Sequence, residues 1–347
     1  MSTLEKIGYL LINLGTPAST SVVDVKKYLG EFLMDPYVIN APWIIRRLIV
    51  SCFILPFRPK STAEAYKMIW TEEGSPLLFN TQKLKNHLQG EHNLNIEIAM
   101  RYGSPSISDA LESFEQQKIK TIHLLPLYPQ FCDATVTTSI KEVRRKNIYK
   151  ANLSVIPAFY ASDAFIKSSK TVIKEHFPDD FDHLLFSYHS LPESQIKKSD
   201  KTGNHCLNKR DCCSAELEIN KNCYRHQCAK TSSLIAKALN LNDKSFSTSF
   251  QSKLGPVPWL KPSTETALEE LAQADVKKLV VACPSFVADN LETLEEIGAR
   301  GKESFIKAGG EELTLIPCLN DHPSWVSGLA NILIGHSTKD ASAVTSA

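Results

Sequence analysis

The chain has 347 residues, of which 43% are hydrophobic and 22% charged, with a formal net charge of +1. That length implies two domains or one large one, with room for a sizeable core, and the balanced charge speaks against a nucleic-acid partner, which selects a basic surface. The first apolar run is too short for a signal peptide, and no stretch approaches the roughly 20 apolar residues of a membrane span, so a soluble, cytoplasmic protein is expected.

In chain order, Ile7–Leu14 reads as a buried parallel strand that stops at Gly15-Thr16-Pro17. Val22–Leu29 is a short helix, and Asp35-Pro36 breaks the chain. Pro42–Phe57 is almost wholly apolar and bounded by prolines, which predicts a helix of three or four turns. It is either a core helix or an exposed apolar lip that meets a greasy substrate or the face of a membrane, where Arg46, Arg47, Arg58 and Lys60 would suit anionic groups. Thr62–Ile69 and Pro76–Leu88 are helical, the second capped by Ser75 with Pro76 at the first position. Strands Ile96–Met100, Thr121–Leu127 and Leu153–Pro157 then alternate with helices Ser108–Gln117 and Ala134–Arg145. This β-α-β-α-β-α-β order is the signature of an α/β parallel sheet with helices on both faces.

The pattern starts again after a linker near Tyr160–Asp163. Strands fall at Leu184–Ser187, Ser245–Phe250, Lys278–Cys283 and Leu313–Pro317. Helices fall at Phe165–His176, Cys228–Leu239, Glu265–Gln273, Leu291–Lys307 and Trp325–Ile334, with a frayed tail after Gly335. Thr121–Arg145 and Lys278–Arg300 both run apolar strand, proline, short loop, helix, which is a local internal echo. The expected organisation is an N-terminal domain over 1–162 carrying the lip 42–57, a C-terminal domain over 163–320 carrying a cysteine-rich insert at 205–228, and a terminal helix and tail over 321–347. Two such α/β domains with facing strand ends would leave a cleft between them.

Three groups of residues could carry chemistry. His189 ends the run LLFSYHSLP, at the C-terminal lip of a strand where ligands bind in open α/β sheets. By itself it reads more readily as a structural histidine than as a base or metal ligand. Asp289, Glu292 and Glu296 follow the strand at Lys278–Cys283 with i, i+3, i+7 spacing, which puts three carboxylates on one helix face near its N-terminus. Alone they are an ordinary acidic first turn; paired with His189 they could ligate a metal or relay a proton. The third group is cysteine. Five of the nine cysteines fall at 206, 212, 213, 223 and 228, without the paired C-x-x-C of a zinc ribbon. Five soft donors for four places favour an iron–sulfur cluster over zinc or free thiols, though His205 and His226 keep zinc open.

At this point six motifs in order carry a resemblance: LINLGTP at 11–17, RYGSP at 101–105, LPLYPQ at 125–130, FSYHSLP at 186–192, FQSKLGPVPWL at 250–260 and FVADNLETL at 286–294. The chain resembles ferrochelatase, the enzyme that inserts ferrous iron into a porphyrin to make haem, over nearly its whole length. The resemblance implies two Rossmann-like domains with parallel four-stranded sheets and an active cleft between them. It implies protoporphyrin IX and Fe²⁺ as substrates, His189 and Glu292 as the catalytic and iron-holding pair, and Asp289 and Glu296 as an acidic track for metal or protons. Leu14, Arg101, Tyr102 and Trp259 match residues near the porphyrin, and Pro42–Phe57 matches the apolar lip, implying peripheral membrane contact. Asn290 stands where some relatives have a second histidine, and Leu14 where some have methionine. The insert looks like the internal cysteine segment of bacterial members that carry a 2Fe–2S cluster, with four of Cys206, Cys212, Cys213, Cys223 and Cys228 as ligands. Insertion of iron into coproporphyrin, another tetrapyrrole chelation, or a non-catalytic haem or iron–sulfur sensor are the alternatives.

Overall fold

The computed structural model describes residues 6–345 except Arg210, Ala215, Leu254 and Pro256, and beyond residue 338 it describes the backbone alone. The chain divides into two compact units: Met1–Leu127 with Asp133–Pro157 and Val326–Ala347, and Tyr128–Cys132 with Ala158–Trp325.

The first unit holds a parallel sheet of β1 (Ile7–Gly15), β2 (Ile96–Tyr102), β3 (Thr121–Pro126) and β4 (Asn152–Val155) in the order β2-β1-β3-β4. The central strand β1 is a continuous apolar run because helices cover both faces. Leu10 and Ile12 pack with Phe114, Leu124 and Val143, all buried, each contributing about 1.5–3 kcal/mol by burial. Gly15 closes β1 opposite Tyr102. Its φ is +116°, and a Cβ there would lie 1.8 Å from the Tyr102 carbonyl oxygen, so the glycine of LINLGTP is a steric requirement.

The second unit repeats this design. Strands β5 (His183–His189), β6 (Phe246–Gln251), β7 (Lys278–Ala282) and β8 (Glu312–Leu315) lie in the order β6-β5-β7-β8, all parallel. Leu185, Val281, Leu268, Phe305 and Leu313 form its core. The fold is therefore the expected α/β arrangement of two parallel four-stranded sheets. The echo between Thr121–Arg145 and Lys278–Arg300 is structural too: after β3 and after β7 the chain enters a π-helix, at Asp133–Thr137 and Glu292–Gly301.

The structure corrects several local expectations. Val22–Leu33 runs a turn further than its apolar periodicity indicates. Ser75 caps Pro76–His92 by position, without a side-chain hydrogen bond. Pro42–Phe57 is not one α-helix but Trp43–Leu48 followed by a π-helix at Ile49–Ile54. Its Arg46 is buried and donates to the carbonyls of Ile39 and Ala41, so it is not available to an anionic surface. A short helix, Glu193–Ser199, follows β5 where irregular chain is expected. The final helix, Pro323–Thr345, continues through the expected frayed tail.

Candidate active site

His189 is the last residue of β5, the central strand of its sheet. Side chains and neighbouring backbone hold it on every edge. Its backbone N–H donates to Ser285 Oγ (3.2 Å), and its carbonyl accepts from Tyr224 O–H (2.8 Å). The next N–H, of Ser190, donates to the carbonyl of Gln251 (2.7 Å). The imidazole Nδ1 lies 2.7 Å from the carbonyl oxygen of Ser190. A carbonyl only accepts, so Nδ1 carries the proton and the neutral ring keeps its Nε2 lone pair for a proton or a metal.

Glu292 opens the π-helix after β7, the strand beside β5. Gln251, the register partner of His189, connects the two. Its amide Nε2 donates to the carbonyl of Glu292 (2.7 Å), and its Oε1 accepts from Ser187 Oγ (2.6 Å). Ser187 also shares a hydrogen bond with Thr264 (2.7 Å). Burial pushes the Glu292 carboxyl up, a charged His189 pulls it down, and Glu296 and Glu295 push it up further. A half-buried carboxyl raised in this way beside an imidazole is suited to take up and pass on a proton.

Of the expected acidic face, Glu292 and Glu296 share one helix and Asp289 stands outside it. Asp289 lies ahead of the helix, and its carboxylate accepts from Cys318 N–H (3.0 Å), Asn320 Nδ2 (2.7 Å) and Thr293 Oγ1 (3.3 Å). Glu296 accepts from the backbone and hydroxyl of Ser252. In the π-helix Glu292 and Glu296, four residues apart, stay about one turn from each other, and Glu296 pushes the Glu292 carboxyl up. Asn290 acts as a local cap: its Oδ1 accepts from Thr293 N–H (3.1 Å) and its own N–H donates to Thr293 Oγ1 (3.0 Å).

Trp259 stands beside the exit of β5. It pairs across an antiparallel bridge with Pro192, and Leu260 N–H donates to the Leu191 carbonyl (3.0 Å). The indole N–H of Trp259 has no hydrogen-bond partner among the described residues. The other three expected porphyrin contacts belong to the first unit. Leu14 lies one residue before Gly15 at the end of β1, the place that His189 holds on β5. Arg101 Nη2 meets Asp35 at 2.5 Å and its Nε donates to Thr138 Oγ1 (2.9 Å). Tyr102 donates to the same Asp35 (3.0 Å), lies 4.4 Å beneath the Arg101 guanidinium, and is only 1% exposed. Its ring is core, so the expected stacking surface for a macrocycle is not available in this conformation. Asp35, read from sequence only as a chain break, is the buried hub of that group.

The cysteine segment is organised by Asp200, whose carboxylate accepts from the backbone of His205 (2.8 Å) and Cys206 (2.9 Å). His205 and His226 each donate a ring N–H, both 3.0 Å, to the carbonyls of Cys212 and Cys213. The Cys212 and Cys213 sulfurs are 3.9 Å apart, with Arg225 Nη1 3.6 and 3.8 Å away. Cys223, at the start of the helix Tyr224–Ala238, hydrogen-bonds with Cys213 and Cys206. The bond with Cys213 and the helix-start N–H groups of His226 and Arg225 bring its thiol down to about 6 against burial. Burial and Cys223 push Cys206 up to about 12. Four thiols therefore converge, and Cys228, which also feels Cys223, is fully buried and hydrogen-bonds with Tyr224. Among the described residues no group of three or more His, Cys, Asp or Glu is already set to hold a metal ion.

Two parallel sheets of one strand order, with a histidine and a carboxylate on adjacent strand ends, define a chelatase-type α/β protein. The fold is similar to SirB from Bacillus subtilis with Fe³⁺, at a TM-score of 0.55 with 10% identity and 94% of each chain covered. It is also similar to the cobalt complex of the sirohydrochlorin chelatase SirB from Bacillus subtilis subspecies spizizenii, at 0.50 and 10%, over 94% of this chain and 93% of that one. The family profile described as ferrochelatase matches residues 6–337. The ferrochelatase of Pseudomonas fluorescens (strain Pf0-1) is 48% identical over 93% of this chain and 96% of its own. That of Pseudomonas entomophila (strain L48) is 49% identical over 93% and 97%. The chain belongs to the ferrochelatase family, and is an enzyme that inserts metal into a porphyrin.

Gln251, Asp35 and Tyr224 carry roles that the sequence motifs do not assign. Gln251 lies within the quoted FQSKLG motif at a strand's C-terminal end, a signal that was present. Tyr224 had none beyond its place next to Cys223.

Proposed function

We propose that the enzyme inserts Fe²⁺ into protoporphyrin IX, releasing two protons to form haem b, the last step of haem synthesis. The observation that carries this reading is the His189–Glu292 pair: an imidazole anchored through Nδ1, which leaves Nε2 for a proton or a metal, beside a carboxyl held up by burial. The porphyrin loses two N–H protons as iron enters. His189 Nε2 accepts a proton or holds the incoming iron, and Glu292 takes up or passes on the other charge. Glu296 and Glu295 set the field around Glu292, and Trp259, beside the exit of β5, offers apolar surface to the ring. Family membership places the chain among enzymes, against a non-catalytic sensor. Turnover with ferrous iron and each porphyrin, followed by the absorption of the product, tests the reading: haem b from protoporphyrin supports it, and turnover confined to coproporphyrin refutes it.

Trp43, Ile44, Ile45, Leu48, Phe53 and Phe57 are all exposed. This apolar surface, with Arg47 at 5.9 Å over Trp43, suits peripheral contact with a membrane interface. It also favours protoporphyrin, a less carboxylated and more lipophilic substrate than coproporphyrin. No helix among the described residues is long and apolar enough to cross a membrane.

The cysteine segment is read as the seat of a 2Fe–2S cluster, with Cys206, Cys212, Cys213 and Cys223 as ligands. Supporting this are the convergence of these four sulfurs, the cation of Arg225 beside two of them, and the lowered Cys223 thiol. When bound, the cluster would cross-link the loop to the helix it precedes. Anaerobically purified protein should carry about two irons and two sulfides per chain; stoichiometric zinc without sulfide refutes this.

A further inference from the structure

The fifth cysteine and the tyrosine after the fourth lead from the cysteine segment to the active histidine. Tyr224 is buried in the first turn of its helix, directly after Cys223. Its hydroxyl donates to the carbonyl of His189, 2.8 Å away, and hydrogen-bonds with the Cys228 thiol one turn further on. The same helix holds the preceding β5 residue, through Ser232 and the Tyr188 hydroxyl (2.9 Å). Two consecutive residues at the end of β5 are thus set by one helix, whose start is fixed by Cys223.

The consequence for the imidazole follows from peptide geometry. The His189–Ser190 peptide is planar. Tyr224 holds its carbonyl edge and the Gln251 carbonyl holds its N–H edge. The carbonyl of Ser190, which fixes the ring through Nδ1, is the next group along the chain. Releasing the Tyr224 bond leaves a buried carbonyl without its donor and frees the plane to rotate, carrying the Ser190 carbonyl away from the ring.

We propose that Tyr224 is a positioning residue for metal insertion, and that the cysteine segment acts on His189 through it. Cys228 serves this relay as the neighbour of the Tyr224 hydroxyl, not as a cluster ligand. The inference rests on His189 being the catalytic base or iron holder.

The test uses the full chain purified anaerobically. Tyr224→Phe should lower kcat roughly tenfold, since small misplacements of a reacting group cost up to 10²-fold, with KM for porphyrin and iron within about twofold and iron and sulfide content unchanged. The ¹⁵N shifts of the His189 ring should show a gain of the Nε2–H tautomer. Cys228→Ser should keep iron and sulfide. Cys223→Ser should lower kcat, and the double variant with Tyr224→Phe should fall no further than the lower single variant. Normal kcat and an unchanged ring tautomer in Tyr224→Phe overturn the positioning role. Multiplicative losses in the double variant overturn the coupling, and loss of iron in Cys228→Ser overturns its exclusion. If His189→Ala turns over normally, the underlying reading of the site fails instead. Should Tyr224→Phe not fold, Cys228→Ala, which removes the thiol neighbour of the same hydroxyl, is read by the same ring shifts, and an unchanged tautomer there overturns the relay.

Discussion

Replacing Gln251 with leucine tests whether one buried amide sets the distance between the two halves of the site. The side chain is 2% exposed and makes two strong hydrogen bonds, to the Glu292 carbonyl at 2.7 Å and from Ser187 at 2.6 Å. Leucine fills most of its volume but makes neither. The Glu292 carbonyl is left without its amide donor at a cost of about 1–3 kcal/mol. Ser187 retains Thr264, so its loss is smaller, about 0.5–1 kcal/mol. The sum, about 1.5–4 kcal/mol, should lower the thermal midpoint by roughly 3–16 °C for a unit of 150–250 residues. The first turn of the π-helix should shift with it, so kcat should fall more than stability alone accounts for at 25 °C. Differential scanning calorimetry and steady-state turnover measure the two effects. Gln251→Leu with an unchanged midpoint and unchanged kcat would falsify the claim that this amide positions Glu292.

His189→Ala and Glu292→Gln should each abolish haem formation, by at least about 10²–10⁴-fold as expected for loss of an acid–base group, while circular dichroism stays native. Asp35→Ala removes the anion that faces Arg101, Tyr102 and Thr138. It should destabilise its unit by about 3–5 kcal/mol, as expected when a buried pair loses one partner, measured by urea denaturation. A triple change of Trp43, Ile44 and Phe53 to serine should reduce co-flotation with anionic vesicles and leave turnover of a detergent-solubilised porphyrin intact; undiminished flotation would remove the membrane role of this surface. Asp200→Ala should lower iron and sulfide content together, because the His205 and Cys206 amides lose their acceptor.

Much of the fold was legible because buried parallel strands advertise themselves. Ile7–Gly15 and His183–His189 are near-continuous apolar runs, and a strand covered on both faces cannot be anything else of that length. The helical segments were harder at their ends, and the π-helices at Ile49–Ile54, Asp133–Thr137 and Glu292–Gly301 were invisible. Glu292–Gly301 has the composition of an α-helix, and its wider winding registers only once its neighbours are in place.

The site divides in the same way. Sequence alone determined which residue types stand at the strand ends: a histidine after β5, carboxylates after β7, five cysteines in between. Those are local facts, fixed by where apolar runs stop. What each group does with its hydrogen bonds is a long-range matter, and only the tertiary structure decided it. It bound Asp289 to Cys318 and Asn320 and placed Tyr102 in a core. It also buried Cys228 and set it against Tyr224. A buried polar group must find a partner, and that partner lies 29 residues further on for Asp289, at Cys318, and 35 residues back for Tyr224, at His189, which no local spacing encodes.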